Sequence, residues 1–455
     1  MYLNNGDRTV LYFDMEDEIM EVIDNDHLPY PLKDYVRSSD FSSPEAAKES
    51  ARHFTMLRDF LSGRTLNLLR ENAKAILTSC GFSQSGRTNE RIAITLACNG
   101  LSMTDNFWTR NDSDNRRFEE VDLRNHHLKD AAYLISISGI SESVQHEILA
   151  PDISTLGMFA KTWYRGEDKS ILLKTDKMPD NANTRAELAV SEMLDRTYIP
   201  HVGYEKVIRD GLIISACDNI TDASRSIISA RDLKDWCEHQ GVDFLDYALS
   251  RFGEDLDAMS ALDYVIANTD RHLENFYFYV DNETNLITQM APLFDHNQAL
   301  IADIFKTDVS DIKYALTDKT MLESAREAHE RHKLFLPERF FDTPEIMSEN
   351  LRSDSGRLER VFERAKTLGV EILKDDLYEI KHMEYARRKY MESDTRGKIS
   401  WCGKKMGIAE FEDRYLSACK DAGVSPNERI SEHFWKNCVA ANGYEPQFLR
   451  QQINI

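Results

Sequence analysis

The chain of 455 residues is 42% hydrophobic and 10% aromatic, enough for two to three domains with substantial cores. Its net charge of −22 argues against a general polyanion binder such as a nonspecific DNA protein, while leaving room for a local basic pocket for nucleotide phosphates. The 7 cysteines are scattered without a CxxC pair, which argues against a disulfide framework or zinc site and suits a reducing cytosol. The N-terminus MYLNNGDRTV has no signal-peptide core, and no run approaches the roughly 20 apolar residues that span a bilayer. A cytoplasmic protein with no membrane and no direct nucleic-acid contact is expected.

Val10 to Ile23 mixes short apolar runs with acidic residues and predicts an opening hairpin. Ser43-Pro44-Glu45 is a helix start, with Ser as N-cap and Pro at the first helical position. Phe54, Leu57 and Leu61 follow at helical spacing, and the helical pattern continues from Leu66 to Leu77. Residues 82–91 read as a loop, Ile92 to Cys98 as a helix, and Asn106 to Arg117 as an irregular polar run. No catalytic cluster occurs in residues 1–150, which read as an N-terminal domain of open role, serving substrate docking or lobe clamping.

From Asp152 the texture changes. Ser154-Thr155-Leu156-Gly157 is a small-residue turn, Met158 to Tyr164 a strand, Arg165 to Asp168 a tight turn, and Ser170 to Lys174 a second strand. A hairpin entered through a glycine-containing loop and left through a lysine is a candidate phosphate cradle. Thr184-Arg185-Ala186-Glu187 opens a helix and also reads as a capping box, in which Glu187 serves only the N-cap amide. His201 to Tyr204 and Gly211 to Cys217 complete a strand, strand, helix, strand, strand order over residues 151–218, that of a small nucleotide lobe. Residues 219–455 read as a helical lobe, with helices at 230–238, 244–251, 256–267, 325–334, 343–350, 355–367, 374–391, 409–422 and 428–441. Ser425-Pro426 starts the last of these.

The helical pattern is interrupted at Ile266 to Asn297. Phe276 to Val280 and Leu286 to Leu293 flank a polar turn and predict a β-hairpin. Folding about the midpoint between Asn282 and Glu283 brings Asp270 and Asp295 to one end, with Asn275 a few residues up the first strand. An aspartate after a helix is usually only a cap or turn residue. Two carboxylates and an amide converging at one end can hold magnesium and orient a hydroxyl, the minimal equipment for phosphoryl transfer.

Through Asn268-Thr269-Asp270-Arg271-His272 with Asn275, and Pro292-Leu293-Phe294-Asp295, the chain from about Asp152 onward resembles the HipA-like serine/threonine kinases, bacterial proteins best known as toxins of toxin–antitoxin pairs. The Asp270-Arg271-His272 variant also looks like the catalytic loop of phosphoinositide kinases. The resemblance implies an α+β, two-lobed protein-kinase-like fold with an additional N-terminal region, using ATP and Mg2+. It makes Asp270 the catalytic aspartate, with Asn275 beside it in the catalytic loop, and assigns Asn275 and Asp295 to the metal. Lys174 would contact the phosphates with Glu187 as its ion-pair partner, and Ser154, Thr155 and Gly157 would form the phosphate loop. Ser154 is the candidate for autophosphorylation, ahead of Thr155. Ile213 to Cys217, with Asp218, would line the adenine through backbone groups. His272 and His296 would brace the loops. Family precedent gives a protein acceptor, such as a translation factor or aminoacyl-tRNA synthetase, and an antitoxin partner. The loop carries one glycine where protein kinases generally have three, and residues 1–150 do not match the family's N-terminal pattern. A lipid or small-molecule kinase and a non-catalytic ATP-binding module are the alternatives.

Overall fold

The computed structural model describes residues 1–83, 86–125, 130–165, 169–348, 356–392, 398–401 and 404–427. Strands β1 (Tyr2–Asn5), β2 (Arg8–Asp14), β3 (Ile19–Val22) and β4 (Phe107–Arg110) form an antiparallel sheet of order β3-β2-β1-β4. The expected opening hairpin is β2–β3. Strand β4 falls in the run read as irregular, where only Phe107 and Trp108 are apolar among polar and charged neighbours. Val10, Leu11 and Phe13 bury against Phe54, Leu57 and Leu61 of α1 (Pro44–Gly63). That helix starts as expected, Ser43 accepting from the Ala46 amide at 3.1 Å with Pro44 in the first turn. Helix α2 (Ala73–Ser79) begins later than the predicted Leu66 and precedes α3 (Thr88–Ala97). The short α4 (Phe118–Val121) follows, and then α5 (Asp130–Ser136) and α6 (His146–Ile153), which pack on the next sheet.

That sheet is antiparallel, of order β5-β6-β8-β7, built from β5 (Ala160–Arg165), β6 (Ser170–Thr175), β7 (Glu205–Arg209) and β8 (Leu212–Asp218), with α7 (Ala182–Leu194) inserted after β6. The strand expected at His201 to Tyr204 lies further on. Asp210 and Gly211 both take positive φ (54° and 76°), the geometry of a two-residue hairpin turn, which pairs Arg209 with Leu212 and fixes β7 immediately before it.

Strand β9 (Arg225–Ser229) was not foreseen and leads into α8 (Ala230–His239) through a Ser229/Asp232 capping box. The two helices expected at 244–251 and 256–267 are one, α9 (Phe244–Val265), bent at Phe252. The predicted hairpin, β10 (Tyr277–Asp281) and β11 (Leu286–Met290), gains β9 as a third strand in the order β11-β10-β9. Its apolar face, with Phe276, Phe278 and Ile287, buries against Phe252, Leu262 and Val265 of α9. The rest is predominantly helical: α10 (Ile301–Ile304), α11 (Met321–Arg331), α12 (Glu345–Ser348), α13 (Arg357–Leu368), α14 (Asp375–Glu392) and α15 (Ile408–Asp421). Two short pairs interrupt it, parallel β12 (Phe335–Pro337) with β13 (Glu371–Leu373), and antiparallel β14 (Lys398–Trp401) with β15 (Lys404–Gly407). The helix expected at 428–441 lies outside the described residues.

The two-lobed α+β arrangement is therefore present, with the N-terminal region gripping both lobes. Asn285, left-handed at φ 52° in the β10–β11 turn, donates its amide to the carbonyls of Asp26 (2.8 Å) and Leu28 (2.9 Å). Its own carbonyl accepts from Lys33 Nζ at 3.1 Å, and Tyr30 Oη accepts from the Ile287 amide at 3.1 Å. Among the described residues no helix is long and apolar enough to cross a membrane.

Candidate active site

Strand β6 carries Lys174 into a cleft of about 850 Å³ bounded by both lobes and the N-terminal region. A buried ammonium without partners would lose its proton, because burial penalises the charged form. Here Lys174 Nζ donates to Glu187 Oε1 (2.6 Å) and Asp295 Oδ1 (2.8 Å). Burial opposes the charge, but Asp295 and Glu187 together hold the lysine above its ordinary pKa. The other Glu187 oxygen accepts from Ser215 Oγ on β8 at 2.7 Å. Glu187 is thus no cap: α7 already begins at Ala182, and Thr184 gives its hydroxyl and amide to Asp176 Oδ2 (2.6 and 2.7 Å).

Asp270 and Asn275 line the same cleft from the loop after α9. The loop is set by one buried carboxylate. Asp263, in the last turn of α9, accepts from Arg271 Nε (3.1 Å), Asn268 Nδ2 (2.9 Å) and Tyr314 Oη (2.8 Å). Arg271, fully buried, also donates to the carbonyls of Asn275 and Phe294, joining this loop to the one that carries Asp295. Asn275 Nδ2 donates to the Asp270 carbonyl at 2.8 Å, so its Oδ1 is kept for another partner. Asp270 is open to the cleft. Partial desolvation there, reinforced by Asp295 and opposed by His272, raises its pKa above the ordinary value.

Asp295 sits at a left-handed reversal (φ 59°), and its Oδ1 accepts from Asn297 Nδ2 (2.6 Å) as well as Lys174. Burial works against its charge, yet Lys174 and Lys161 hold the carboxyl well below the usual range. His296 is buried and kept neutral by burial, while His272 Nδ1 accepts the Glu274 amide at 3.2 Å. The hairpin does not bring the two aspartates together by the expected symmetry. Asp281 pairs with Leu286, and a bulge follows Tyr279, so the fold axis lies beyond the Asn282–Glu283 midpoint. The two loops, tied through Arg271, place Asp270 and Asp295 on one cleft instead.

Ser154, Thr155 and Gly157 line the cleft between α6 and β5. Ser154 caps the end of α6, buried, with Oγ donating to the Pro151 carbonyl at 3.1 Å. A phosphate on it requires the end of that helix to open. Thr155 Oγ1 donates to the same carbonyl (2.6 Å) and accepts from Trp163 Nε1 (2.8 Å). Gly157 is favoured by its φ of 99°, and a Cβ there would meet only the far end of the Lys161 side chain, 2.3 Å from Nζ. Cys217, on β8, is buried at the cleft wall, and burial pushes its thiol up to about 12.

Sequence reasoning missed Lys161, Asp263, Tyr314 and Arg70. Lys161 is a second cleft lysine, its Nζ on the Leu156 carbonyl at 2.7 Å, with burial and then the Lys174 charge pushing it down to about 7. A lone aspartate in the apolar run Leu262-Asp263-Tyr264-Val265 was a readable signal, since a buried carboxylate needs partners. No comparable signal marked the others.

Among the described residues no group of three or more His, Cys, Asp or Glu side chains forms a ready-made metal site. The donor set at Asn275 and Asp295 nonetheless suits magnesium, a hard cation that takes few protein oxygens beside substrate phosphates. Asn275 commits its nitrogen to Asp270 and retains an oxygen for such an ion.

No protein-family model and no curated protein matches the chain. Among solved structures it is similar to the Helicobacter pylori proinflammatory kinase CtkA, at 13% identity and TM-score 0.36, over 50% of this chain and 93% of that one. It is also similar to a chain of the Shewanella oneidensis MR-1 toxin–antitoxin complex of HipA, HipB and operator DNA. That likeness has 11% identity and TM-score 0.46, over 95% of this chain and 99% of the other.

Proposed function

We propose that this protein is an ATP- and Mg2+-dependent, HipA-like kinase that transfers the γ-phosphoryl group to a serine or threonine hydroxyl of a protein. One observation carries the reading: Lys174, charged and buried between Glu187 and Asp295, faces the cleft that Asp270 and Asn275 also line.

In this reading Asp270 accepts a hydrogen bond from the acceptor hydroxyl and aligns its oxygen on the γ-phosphorus. As the new O–P bond forms and the bond to ADP breaks, Asp270 takes the hydroxyl proton. Its raised pKa favours that transfer. Lys174 and Lys161 supply positive charge for the phosphates, Glu187 keeping Lys174 in place as its contact with Asp295 yields to nucleotide. Magnesium, held by Asn275 and Asp295, supplies further charge neutralisation when bound. The backbone of β8 through Cys217 and Asp218 forms the adenine wall. On the sequence resemblance we also assign a cognate antitoxin partner, which co-purification with the product of the neighbouring reading frame tests.

Purified protein with labelled ATP, offered protein, lipid and small-alcohol acceptors, tests the main reading. Label is expected on protein serine or threonine, and Asp270→Ala and Asp295→Ala are expected to abolish it. Label on lipid alone moves the reading to a lipid kinase, and tight ATP binding without turnover to a non-catalytic module. Full activity in both variants contradicts the assigned roles.

A further inference from the structure

Residues 66–71 fill the gap between the predicted and observed starts of α2, and their hydrogen-bond donors go elsewhere than into a helix. Leu66 N donates to the Ile153 carbonyl and Glu71 N to the Met158 carbonyl, both at 2.7 Å. Between them Arg70, only 2% exposed, sends Nη1 to the carbonyls of Asp152 (2.6 Å) and Thr155 (3.2 Å), and Nη2 to the carbonyl of Lys161. One guanidinium therefore fastens both ends of the 154–159 turn. Its fixed, planar array of donors suits this task in a way that an ammonium does not.

The peptide planes translate this into function. In a trans peptide the carbonyl and the following N–H point in opposite directions, and among the described residues there is no cis peptide. With the Thr155 and Met158 carbonyls drawn to Arg70 and Glu71, the N–H groups of Leu156 and Phe159 face away from residues 66–71. Among the described residues no acceptor takes either of them. Both residues line the cleft. Backbone N–H groups held without partners in a turn make an anion-binding concavity.

We propose that residues 66–71 are the outer frame of the phosphate-binding turn and that Arg70 is its positioning residue, so that the N-terminal region is a working part of the ATP site. The inference rests on the kinase reading and deepens it. Arg70 touches no nucleotide. It acts by fixing the backbone that does.

Calorimetric titration of the full chain with MgATP and, separately, with adenosine tests the proposal. For Arg70→Lys, MgATP is expected to bind about tenfold more weakly, as for loss of a charge-assisted contact, while adenosine, lacking phosphates, binds within about twofold of wild type. Equal weakening of both ligands, or unchanged MgATP affinity, overturns the inference. If that variant fails to fold, hydrogen exchange on wild type decides. MgATP is expected to slow exchange at Leu66 and Glu71, whose acceptors are the turn's carbonyls, and adenosine is not; no difference between the ligands overturns the inference. A wild type that binds adenosine and not MgATP overturns it as well. A wild type that binds neither overturns the kinase reading itself, and the inference falls with it.

Discussion

Lys174 is the residue on which the cleft's electrostatics turn. Its two carboxylate partners hold its pKa up against burial, and removing it takes away the cation that bridges Glu187 and Asp295. Breaking a buried pair from one side typically costs about 3 kcal/mol or more. Lys174→Met is therefore expected to lower urea-unfolding stability by about 3 kcal/mol as well as to abolish ATP-dependent turnover. As the proposed base, Asp270 would set the pH dependence: its working form would be the carboxylate, and burial raises its pKa above the ordinary 3.8. Accordingly kcat/KM is expected to rise with pH through a limb whose midpoint is above 3.8, and a limb at or below that value would show that Asp270 is not the base.

At the scale of elements, the loop that carries Asp270 is held by Asp263. A single buried carboxylate orders Asn268, Arg271 and, from a segment 51 residues downstream, Tyr314. Tyr314→Phe removes one hydrogen bond to a charged group and is expected to cost about 1–3 kcal/mol. Asp263→Ala, which leaves Arg271 buried and unpaired, is expected to cost about 3–5 kcal/mol. Denaturant unfolding of the two variants checks the order, and an equal, small effect would mean that Arg271 finds another partner. This network also marks where reading the sequence stops. Asp270, Asn275 and Asp295 were legible because they lie on two short polar clusters flanking one hairpin. The hairpin itself was legible from its aromatic and β-branched runs. Its register was not, since a bulge after Tyr279 has no local signature. Strand β9, Tyr314 and Arg70 take their meaning from partners far away in sequence, and no periodicity of their own reveals them. Glu187 had two local readings, as cap and as ion-pair partner, and the start of α7 at Ala182 together with the position of Lys174 separates them.

At the scale of the molecule, the N-terminal region reaches three parts of the site. It fastens the 154–159 turn, the proposed phosphate turn, through Arg70 and holds the β10–β11 turn through Tyr30 and Lys33. After β8, the Met103 carbonyl accepts from Asn219 Nδ2 (3.2 Å) and Thr221 Oγ1 (2.7 Å). It also shares apolar core with the β5–β8 sheet, where Trp163 and Leu172 pack with Ile76 and Leu149. Such shared burial couples unfolding of the parts. Asn285→Ala, which deletes two hydrogen bonds and places a Cβ residue without a polar side chain at positive φ, is expected to lower the midpoint of one cooperative transition by loss of about 2 kcal/mol. Two separate transitions, with only the first shifted, would show the N-terminal region to be an independent appendage.

The central claim is that the cleft performs phosphoryl transfer with Asp270 as its base. The most direct measurement is steady-state ADP formation from MgATP in the presence of the unphosphorylated protein acceptor that the labelling assay identifies, alongside MgATP affinity, for wild type and Asp270→Asn. Loss of a positioned base typically costs about 10²–10⁴ in rate. The account predicts at least a hundredfold fall in kcat with MgATP affinity within about threefold of wild type. Undiminished ADP formation by Asp270→Asn would contradict it.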